Sequence, residues 1–192
     1  MGKIVVSENV TLDGVVEDPA GVEGFARGGW VGRIGERDRE EAAKVLLDEA
    51  LGAEAQLMGR RTYEFLAGRW PSRSGELADR LNDMPKYVVS STLKDPDWNN
   101  STVIAGDVMQ EVAKLKEELE GEVVVAGSIR LGRALMENDL VDELRLMVYP
   151  VVLGAGERLF GETSDQRPVR LLETRTVDDL AYLTYEVVRE AA

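Results

Sequence analysis

The sequence contains no cysteine and no histidine among its 192 residues. Without cysteine the chain can form no disulfide bond and no thiolate metal site. Without histidine it can form neither a Ser–His nor a Cys–His catalytic pair, and it offers no imidazole acid, base or zinc ligand. Any chemistry must therefore use carboxylates, tyrosine, lysine, arginine, hydroxyl groups or a cofactor, and we expect no metal site.

Positive charge and long apolar runs are also scarce. The chain has 23 lysines and arginines against 36 aspartates and glutamates, which gives a net charge of −13. This charge argues against nucleic acids and anionic membranes as partners. No apolar run approaches the roughly 20 residues of a membrane-spanning helix, and the N-terminus shows no signal-peptide pattern. We therefore expect a cytoplasmic globular protein that binds neither nucleic acid nor membrane.

Segments with strand and helix patterns alternate through the first two thirds of the sequence. The predicted strands are Lys3–Val6, Ala55–Met58, Lys86–Val89, Val103–Ala105, Val123–Val125 and Leu144–Leu153, and the final hairpin is Val169–Thr176 with Leu180–Val188. The predicted helices are Asp38–Leu51, Gly75–Asp83, one from Tyr63, one capped by Asp107 and one from Ile129. This order predicts one α/β domain over residues 1–192. Its expected form is a three-layer α/β/α sandwich, whose mostly parallel sheet ends in an antiparallel hairpin.

The segment Glu122–Leu135 joins a strand to a helix through small residues. Three consecutive valines, Val123–Val125, predict a strand buried on both faces. Gly127 and Ser128 then form a tight turn, after which apolar residues recur at helical spacing. The helix N-terminus presents backbone N–H groups at the carboxyl edge of the sheet, which suits a phosphate. A well-packed connection without a ligand is the alternative.

Two further strands end in small or basic residues. Gly59–Thr62 carries two arginines and a threonine, and Ser90–Thr92 carries three hydroxyl groups. The carboxyl ends of the strands line the ligand crevice in an open α/β sheet. Together with Gly127–Ser128, these segments predict a site for a ligand with several phosphates. Gly154 and Gly156 form no dinucleotide fingerprint, because no third glycine follows at the required spacing.

The segment from Gly21 to Gly35 contains six glycines around Phe25, Trp30 and Ile34. This glycine content is too high for a regular helix or strand, so the segment predicts a long surface loop. Such a loop is either an active-site lid or an insertion without a role in the site.

Short motifs in a fixed order cover nearly the whole chain. They are Thr11–Gly14, Met58–Glu64, Val88–Ser91, Val125–Ser128 with Leu131, Leu140–Leu144, Tyr149–Gly156 and Leu159–Phe160. In these motifs the chain resembles the dihydrofolate-reductase-like superfamily. Within it, the chain is most similar to the reductase (C-terminal) domain of bifunctional riboflavin-biosynthesis deaminase/reductase proteins. That family usually has two glycines where this chain has Gly127 and Ser128.

The resemblance implies a reductase that uses NADPH and transfers hydride to a small nitrogen heterocycle, like the 5-amino-6-(5-phosphoribosylamino)uracil reductase of riboflavin biosynthesis. The implied cofactor contacts are Gly59, Arg60, Arg61 and Thr62 at the phosphates, Ser90 and Ser91 at the adenosine 2′-phosphate, and Gly127, Ser128, Ile129 and Arg130 at the pyrophosphate. The residues implied to flank the nicotinamide and the substrate are Thr11, Leu12 and Gly14.

For catalysis, we predict that Asp13 makes a polar contact to the substrate. Glu41 or Glu40 on the first long helix is the proton-donor candidate, and Trp30 in the glycine-rich loop is expected to stack on the bound ring. Dihydrofolate reductases keep an acid on this helix that faces the pterin, so dihydrofolate reduction is one alternative. A non-catalytic nucleotide-binding or regulatory protein on the same fold is the other.

The last strands carry many apolar residues, among them Tyr149, Leu180, Tyr182, Leu183 and Tyr185. Those that nothing covers at an edge of the sheet predict a homodimer contact.

Overall fold

The structure of the chain, a computed structural model, describes residues 1–162 and 166–189. Within these residues the strands are β1 (Lys3–Thr11), β2 (Ala53–Gly59), β3 (Lys86–Val89), β4 (Ser101–Ile104), β5 (Glu122–Ala126), β6 (Glu143–Tyr149), β7 (Val169–Val177) and β8 (Leu180–Val187). The helices are α1 (Glu36–Gly52), α2 (Arg60–Ala67), α3 (Glu76–Asp83), α4 (Val108–Glu118) and α5 (Ile129–Glu137), and a 3₁₀ turn covers Trp30–Arg33.

The strands form one sheet in the order β4–β3–β2–β5–β1–β6–β8–β7. β2 pairs in parallel with β3 and β5, and β3 pairs in parallel with β4. β8 pairs antiparallel with both β6 and β7. The predicted α/β class, with a mostly parallel sheet and a C-terminal antiparallel hairpin, is confirmed.

Among the element boundaries that differ from the prediction, two bear on the site or have a local cause. β6 ends at Tyr149 rather than at Leu153, because Pro150 follows and has no N–H group to donate to a ladder. α2 begins at Arg60 rather than at Tyr63. Both arginines that follow β2 therefore lie in the first turn of a helix, not in a loop before it.

Contacts within the chain divide it into two compact units. Unit 1 comprises Met1–Val6 and Leu46–Val141, and unit 2 comprises Ser7–Val45 and Asp142–Ala192. Strand β1 contributes its first residues to unit 1 and its later residues to unit 2. The single domain expected from the sequence stays a prediction.

The core of unit 1 combines strand and helix residues. Its buried members are Val5, Ala50, Ala53, Met58, Tyr63, Leu81, Met84, Val88, Trp98 and Val124. The three valines of β5 are at most 4% exposed, as the sequence predicts. Asp107 caps α4, since its Oδ1 accepts a hydrogen bond from the backbone N of Gln110 at 3.2 Å.

A buried lysine completes the C-terminal end of α3. The Nζ of Lys86 donates hydrogen bonds of 2.8 to 3.0 Å to the carbonyl oxygens of Asn82, Met84 and Asn99. It also lies 4.5 Å from the centroid of the Trp98 ring. Burial lowers the pKa of Lys86 to about 8. Three carbonyl acceptors match the three donors of the ammonium group, so its charge stabilises the end of the helix.

The core of unit 2 is built around Trp30. This side chain is 1% exposed, and its Nε1 donates to the carbonyl O of Glu17 at 3.0 Å. Its ring meets the Tyr149 ring edge-on, with 5.2 Å between the centroids. The other buried members of this core are Val15, Val45, Met147, Leu153, Val177, Leu180 and Tyr182.

The glycine-rich loop of unit 2 is organised by one aspartate. Asp18 is 3% exposed, and its carboxylate accepts hydrogen bonds from the backbone N of Val22, Glu23 and Phe25 at 2.7 to 3.1 Å. Burial alone would raise the pKa of Asp18, but these backbone donors outweigh it and lower the pKa. Gly28 belongs to the same arrangement, because a Cβ there would stand 2.5 Å from the Asp18 carboxylate. The loop therefore has a defined internal structure.

Candidate functional site

Three neighbouring strands of unit 1 end at the same edge of the sheet. β2 pairs in parallel with β3 on one side and with β5 on the other. The segments that follow these strands are Gly59–Thr62, Ser90–Thr92 and Gly127–Arg130, and we call them the strand-end cluster. The structure brings together here all of the cofactor-contact residues that the sequence suggested.

Hydrogen bonds join the ends of β2 and β5. The Oγ of Ser128 accepts from the backbone N of Gly59 at 3.0 Å and donates to Thr62 Oγ1 at 2.9 Å. Thr62 Oγ1 in turn donates to the carbonyl O of Gly127 at 2.8 Å. Gly127 has a φ of +65°, a conformation that favours glycine. Ser128, in the place of a second glycine, is 7% exposed and ties the two turns together.

Helices α2 and α5 both begin in the strand-end cluster. Gly59 and Ser128 occupy their N-cap positions, and neither makes a side-chain capping hydrogen bond. The first N–H groups of both helices thus have no capping side chain, and the positive ends of two helix dipoles meet here. In the first turn of α5, Ile129 is half-buried and Arg130 is exposed. The arrangement suits an anionic group.

The arginines of α2 add positive charge to the cluster. Arg60 and Arg61 are both exposed. The Nη1 of Arg60 donates to Thr92 Oγ1 at 3.0 Å, and its Nε lies 3.7 Å from a carboxylate oxygen of Glu64. Thr92 is the third hydroxyl of the run that the sequence placed at the predicted phosphate site, although the resemblance implied only Ser90 and Ser91 as contacts. Its contact with Arg60 joins the end of β3 to the end of β2.

The two serines after β3 have different surroundings. The Oγ of Ser90 accepts hydrogen bonds from the backbone N of Thr92 at 3.2 Å and of Leu93 at 2.9 Å. Ser90 is 9% exposed, so its hydroxyl shapes the turn. Ser91 is exposed, and it stands beside Thr92 where a ligand can reach both.

The residues expected to flank the substrate lie in unit 2. The Asp13 carboxylate accepts from Thr11 Oγ1 at 2.7 Å and from the backbone N of Leu153 at 3.1 Å and of Gly154 at 2.8 Å. The hydrogen bond from Thr11, supported by those from Gly154 and Leu153, lowers the pKa of Asp13 to about 2 against the effect of burial. Asp13 is therefore a carboxylate at neutral pH and holds the turn after β1 against the loop after β6.

Neighbours of Asp13 differ in exposure. Thr11 is 1% exposed, and its Oγ1 also accepts from the backbone N of Val15 at 2.9 Å. Leu12 is 67% exposed. Gly14 has a φ of +83°, which the tight turn requires. A rigid turn thus carries one large apolar side chain into solvent.

The acids of α1 do not match the proton-donor prediction. Glu40 is exposed, and Glu41 forms a hydrogen-bonded ion pair with Lys44 that lowers the pKa of Glu41. Asp38 is the acid of this helix that is buried, at 6% exposure. Its carboxylate accepts from the backbone N of Gly35 at 3.1 Å and of Asp179 at 3.0 Å. Asp38 therefore caps the helix and ties it to the β7–β8 turn.

Two further side chains bear on the site predictions. Trp30 lies in the core of unit 2, so the predicted stacking on a substrate ring does not fit its burial. Glu8, in β1, is a buried acid at 8% exposure that sequence reasoning missed. The signal was its alternation with Val6 and Val10, which are buried on the same face of the strand.

Within the described residues, no helix is long and apolar enough to cross a membrane.

Comparison with known proteins gives one family and a consistent set of structures. The family model for the RibD C-terminal domain matches residues 2–182. The uncharacterized protein YyaP of Bacillus subtilis is 28% identical over 187 residues, which cover 91% of this chain and 88% of that protein. A protein assigned to riboflavin biosynthesis from Shewanella sp. PV-4 has a TM-score of 0.70 and 19% identity, with 97% of this chain and 99% of that chain covered.

Two solved enzymes share the fold at lower identity. The deaminase/5-amino-6-(5-phosphoribosylamino)uracil reductase of Thermotoga maritima gives a TM-score of 0.61 at 14% identity, with 97% of this chain and 57% of that chain covered. Dihydrofolate reductase of Enterococcus faecalis, solved with NADP(H), gives a TM-score of 0.56 at 14% identity, with 96% of each chain covered. The resemblance to this superfamily, inferred from short motifs, is confirmed.

Proposed function

Since the chain belongs to the RibD C-terminal domain family, we propose that it is an NADPH-dependent reductase that transfers hydride to a small nitrogen heterocycle. The observation that carries the proposal is the strand-end cluster of unit 1. Two uncapped helix N-termini, exposed arginines and a hydroxyl run meet there within hydrogen-bonding distance of one another.

The parts of the cluster suit the parts of a dinucleotide. The N-terminus of α5, which begins after Gly127 and Ser128, takes the pyrophosphate through its backbone N–H groups. Arg60, Ser91 and Thr92 form a group of donors beside the end of β3 that suits a terminal phosphate monoester, such as the 2′-phosphate of NADPH. The hydrogen bonds among Gly59, Thr62 and Ser128 keep this arrangement rigid.

NADPH supplies the hydride when it is bound. The role proposed for the chain itself is to bind and orient the reactants. Asp13 is ionised, because its pKa is about 2, so it cannot donate a proton near neutral pH. We assign it to positioning, since it fixes the turn that carries Thr11 and Leu12. The heterocycle is proposed by analogy with the substrate named for the Thermotoga maritima reductase. A cytoplasmic location stays a prediction.

The rival function of dihydrofolate reduction lacks its acid on α1. Glu40 is exposed, and Glu41 is half-buried in an ion pair with Lys44. The Asp38 carboxylate is engaged by two backbone N–H groups. The second rival, a non-catalytic nucleotide-binding protein, is distinguished by turnover. Binding of NADPH without oxidation across a panel of reducible heterocycles would support it.

Calorimetric titration of the purified protein with NADPH, and separately with NADH, tests the proposal. We expect NADPH to bind more tightly, and Arg60→Ala to weaken NADPH binding about tenfold or more, because a charge-assisted hydrogen bond to phosphate is worth about 1.5–3 kcal/mol. The matched control is Arg37→Ala, an exposed arginine of α1 outside the cluster, which should bind like the wild type. If neither nucleotide binds, the reductase assignment fails while the fold stands.

A further inference from the structure

The segment around helix α2 differs in charge from the rest of the chain. The whole sequence carries 36 acidic and 23 basic residues, but residues 59–75 carry four arginines and a single acid, Glu64. In the described part of the chain, the first turns of α1, α3 and α4 each carry at least one acid, whereas those of α2 and α5 carry none. Glu64 is therefore the first acid that follows the start of α2.

Glu64 lies one helical turn after Arg60. Residues four apart in a helix are neighbours on its surface. The Glu64 carboxylate lies 3.7 Å from Arg60 Nε, while Arg60 Nη1 donates to Thr92 Oγ1 at 3.0 Å. One guanidinium thus meets the hydroxyl run after β3 and a carboxylate of its own helix.

The ion pair between Arg60 and Glu64 is loose. The two side chains are 48% and 55% exposed, and a separation of 3.7 Å is too long for a hydrogen bond. Solvent and salt screen exposed ion pairs of this kind, so they hold their members weakly. A more highly charged anion can therefore compete with Glu64 for the guanidinium.

We propose that Glu64 is a specificity-determining residue, which acts as the internal counter-anion of Arg60 and limits the preference of the site for a nucleotide with a 2′-phosphate. This inference rests on the proposed function, because it takes Arg60 as the partner of that phosphate. A phosphate monoester carries a charge of about −1.5 to −2 at neutral pH. When it binds, it has to share Arg60 with the Glu64 carboxylate.

The two nicotinamide nucleotides meet this carboxylate differently. NADPH brings a phosphate that the negative charge of Glu64 repels. NADH has a hydroxyl group at the same position, which carries no charge for the carboxylate to repel. Glu64 therefore weakens the binding of NADPH and leaves that of NADH nearly unchanged, so it reduces the selectivity that Arg60 and Thr92 provide.

The alternative role for Glu64 is to orient Arg60. A second acceptor can fix the direction of a guanidinium, and its removal would then weaken phosphate binding rather than strengthen it. The distances favour the counter-anion role. The contact to Glu64 at 3.7 Å is too long for a directed hydrogen bond, whereas the hydrogen bond to Thr92 at 3.0 Å already orients Arg60.

Calorimetric titration of the Glu64→Gln variant with NADPH, and separately with NADH, tests the proposal. Glutamine keeps the shape of the side chain and removes its charge. We expect Glu64→Gln to bind NADPH about threefold to tenfold more tightly than the wild type at low salt, because two anions that share a guanidinium repel each other across about 6 Å. The affinity for NADH should change by less than about twofold, and the gain for NADPH should shrink at about 0.5 M salt.

Two further variants separate the local charge from other effects. Glu117→Gln removes the same charge from an exposed position at the end of α4. That end lies before β5, whereas the strand-end cluster follows β5, so both nucleotides should bind this variant like the wild type. Glu64→Asp keeps the negative charge, and its affinity for NADPH should stay within about twofold of the wild type.

The outcomes distinguish this inference from the function on which it rests. If the wild type binds NADPH and Glu64→Gln binds it equally or more weakly, the counter-anion role of Glu64 is wrong and the proposed function stands. An equal gain in Glu64→Gln and Glu117→Gln would reveal a general effect of net charge and would overturn the inference in the same way. If the wild type binds neither nucleotide, the proposed function and the role of Glu64 are both overturned.

Discussion

The turns of the two units use the same interaction in opposite ways. In unit 2, the carboxylates of Asp13, Asp18 and Asp38 accept hydrogen bonds from backbone N–H groups. In unit 1, the helices that begin after Gly59 and Ser128 have no capping side chain. The chain supplies its own anions to these turns of unit 2, whereas at the starts of α2 and α5 in unit 1 the proposed function assigns the anion to a ligand. The proposed function therefore predicts that a phosphate binds at the starts of α2 and α5.

The largest expected effect comes from removing the anion that unit 2 supplies to its loop. Asp18→Asn should lower the free energy of unfolding by about 2–3 kcal/mol, because a buried carboxylate that accepts three backbone N–H groups loses its charge. For a chain of this length that corresponds to a fall in Tm of roughly 5–10 °C. Thermal denaturation followed by circular dichroism measures it. Asp48→Asn, an exposed aspartate of α1, should leave the Tm unchanged, and an equal shift in both variants would contradict the comparison.

A smaller effect with a defined pH dependence is expected at Asp13. Its folded-state pKa of about 2 lies below its ordinary value of 3.8. Its contribution is therefore fully present above about pH 4 and is lost as the pH falls through 2. Urea denaturation should show Asp13→Asn less stable by about 1–2 kcal/mol at pH 6, and the difference from wild type should shrink between pH 4 and pH 2. A difference that stays constant across that range would show that the charge is not responsible.

The smallest effect is expected in unit 1, where a neutral hydroxyl is removed. Thr92→Val should weaken NADPH binding about threefold to tenfold, because a hydrogen bond of this type contributes about 0.5–1.5 kcal/mol. NADH binding should not change, since NADH lacks the phosphate assigned to this place. Ser101→Ala, in β4 of the same unit, is the control. If Thr92→Val lost the same affinity for NADPH and for NADH, the 2′-phosphate would not bind beside Thr92.

Local patterns in the sequence were sufficient for most of the fold. Consecutive valines, the Asp107 cap and the alternation in the final hairpin each reflect a physical preference of a few neighbouring residues. The strand-end cluster could also be predicted from the sequence, because parallel strands bring their carboxyl ends to one edge. The burial of Trp30 and Asp18 could not be predicted in this way. A tryptophan among glycines indicates a flexible loop until a buried aspartate, whose partners lie up to seven residues away, is known to fix it.

The acids of α1 illustrate the same limit. Asp38, Glu40 and Glu41 are equivalent by position in the first turns of a helix, and any of them can favour the helix dipole. Which one becomes buried depends on the β7–β8 turn, whose Asp179 N–H meets Asp38 from far along the chain. Long-range partners of this kind leave no pattern in the local sequence.

The division of the chain into units has a consequence for its synthesis. All residues of unit 1 precede residue 142, whereas unit 2 combines Ser7–Val45 with the segment that starts at Asp142. On the ribosome, the strands that end in the nucleotide-site candidates are complete before β6, β7 and β8 are translated. The Asp18 loop and Trp30 emerge early but must wait for Tyr149 and Tyr182, their partners in the core. The core of unit 2 can therefore form only after β6, β7 and β8 have been translated.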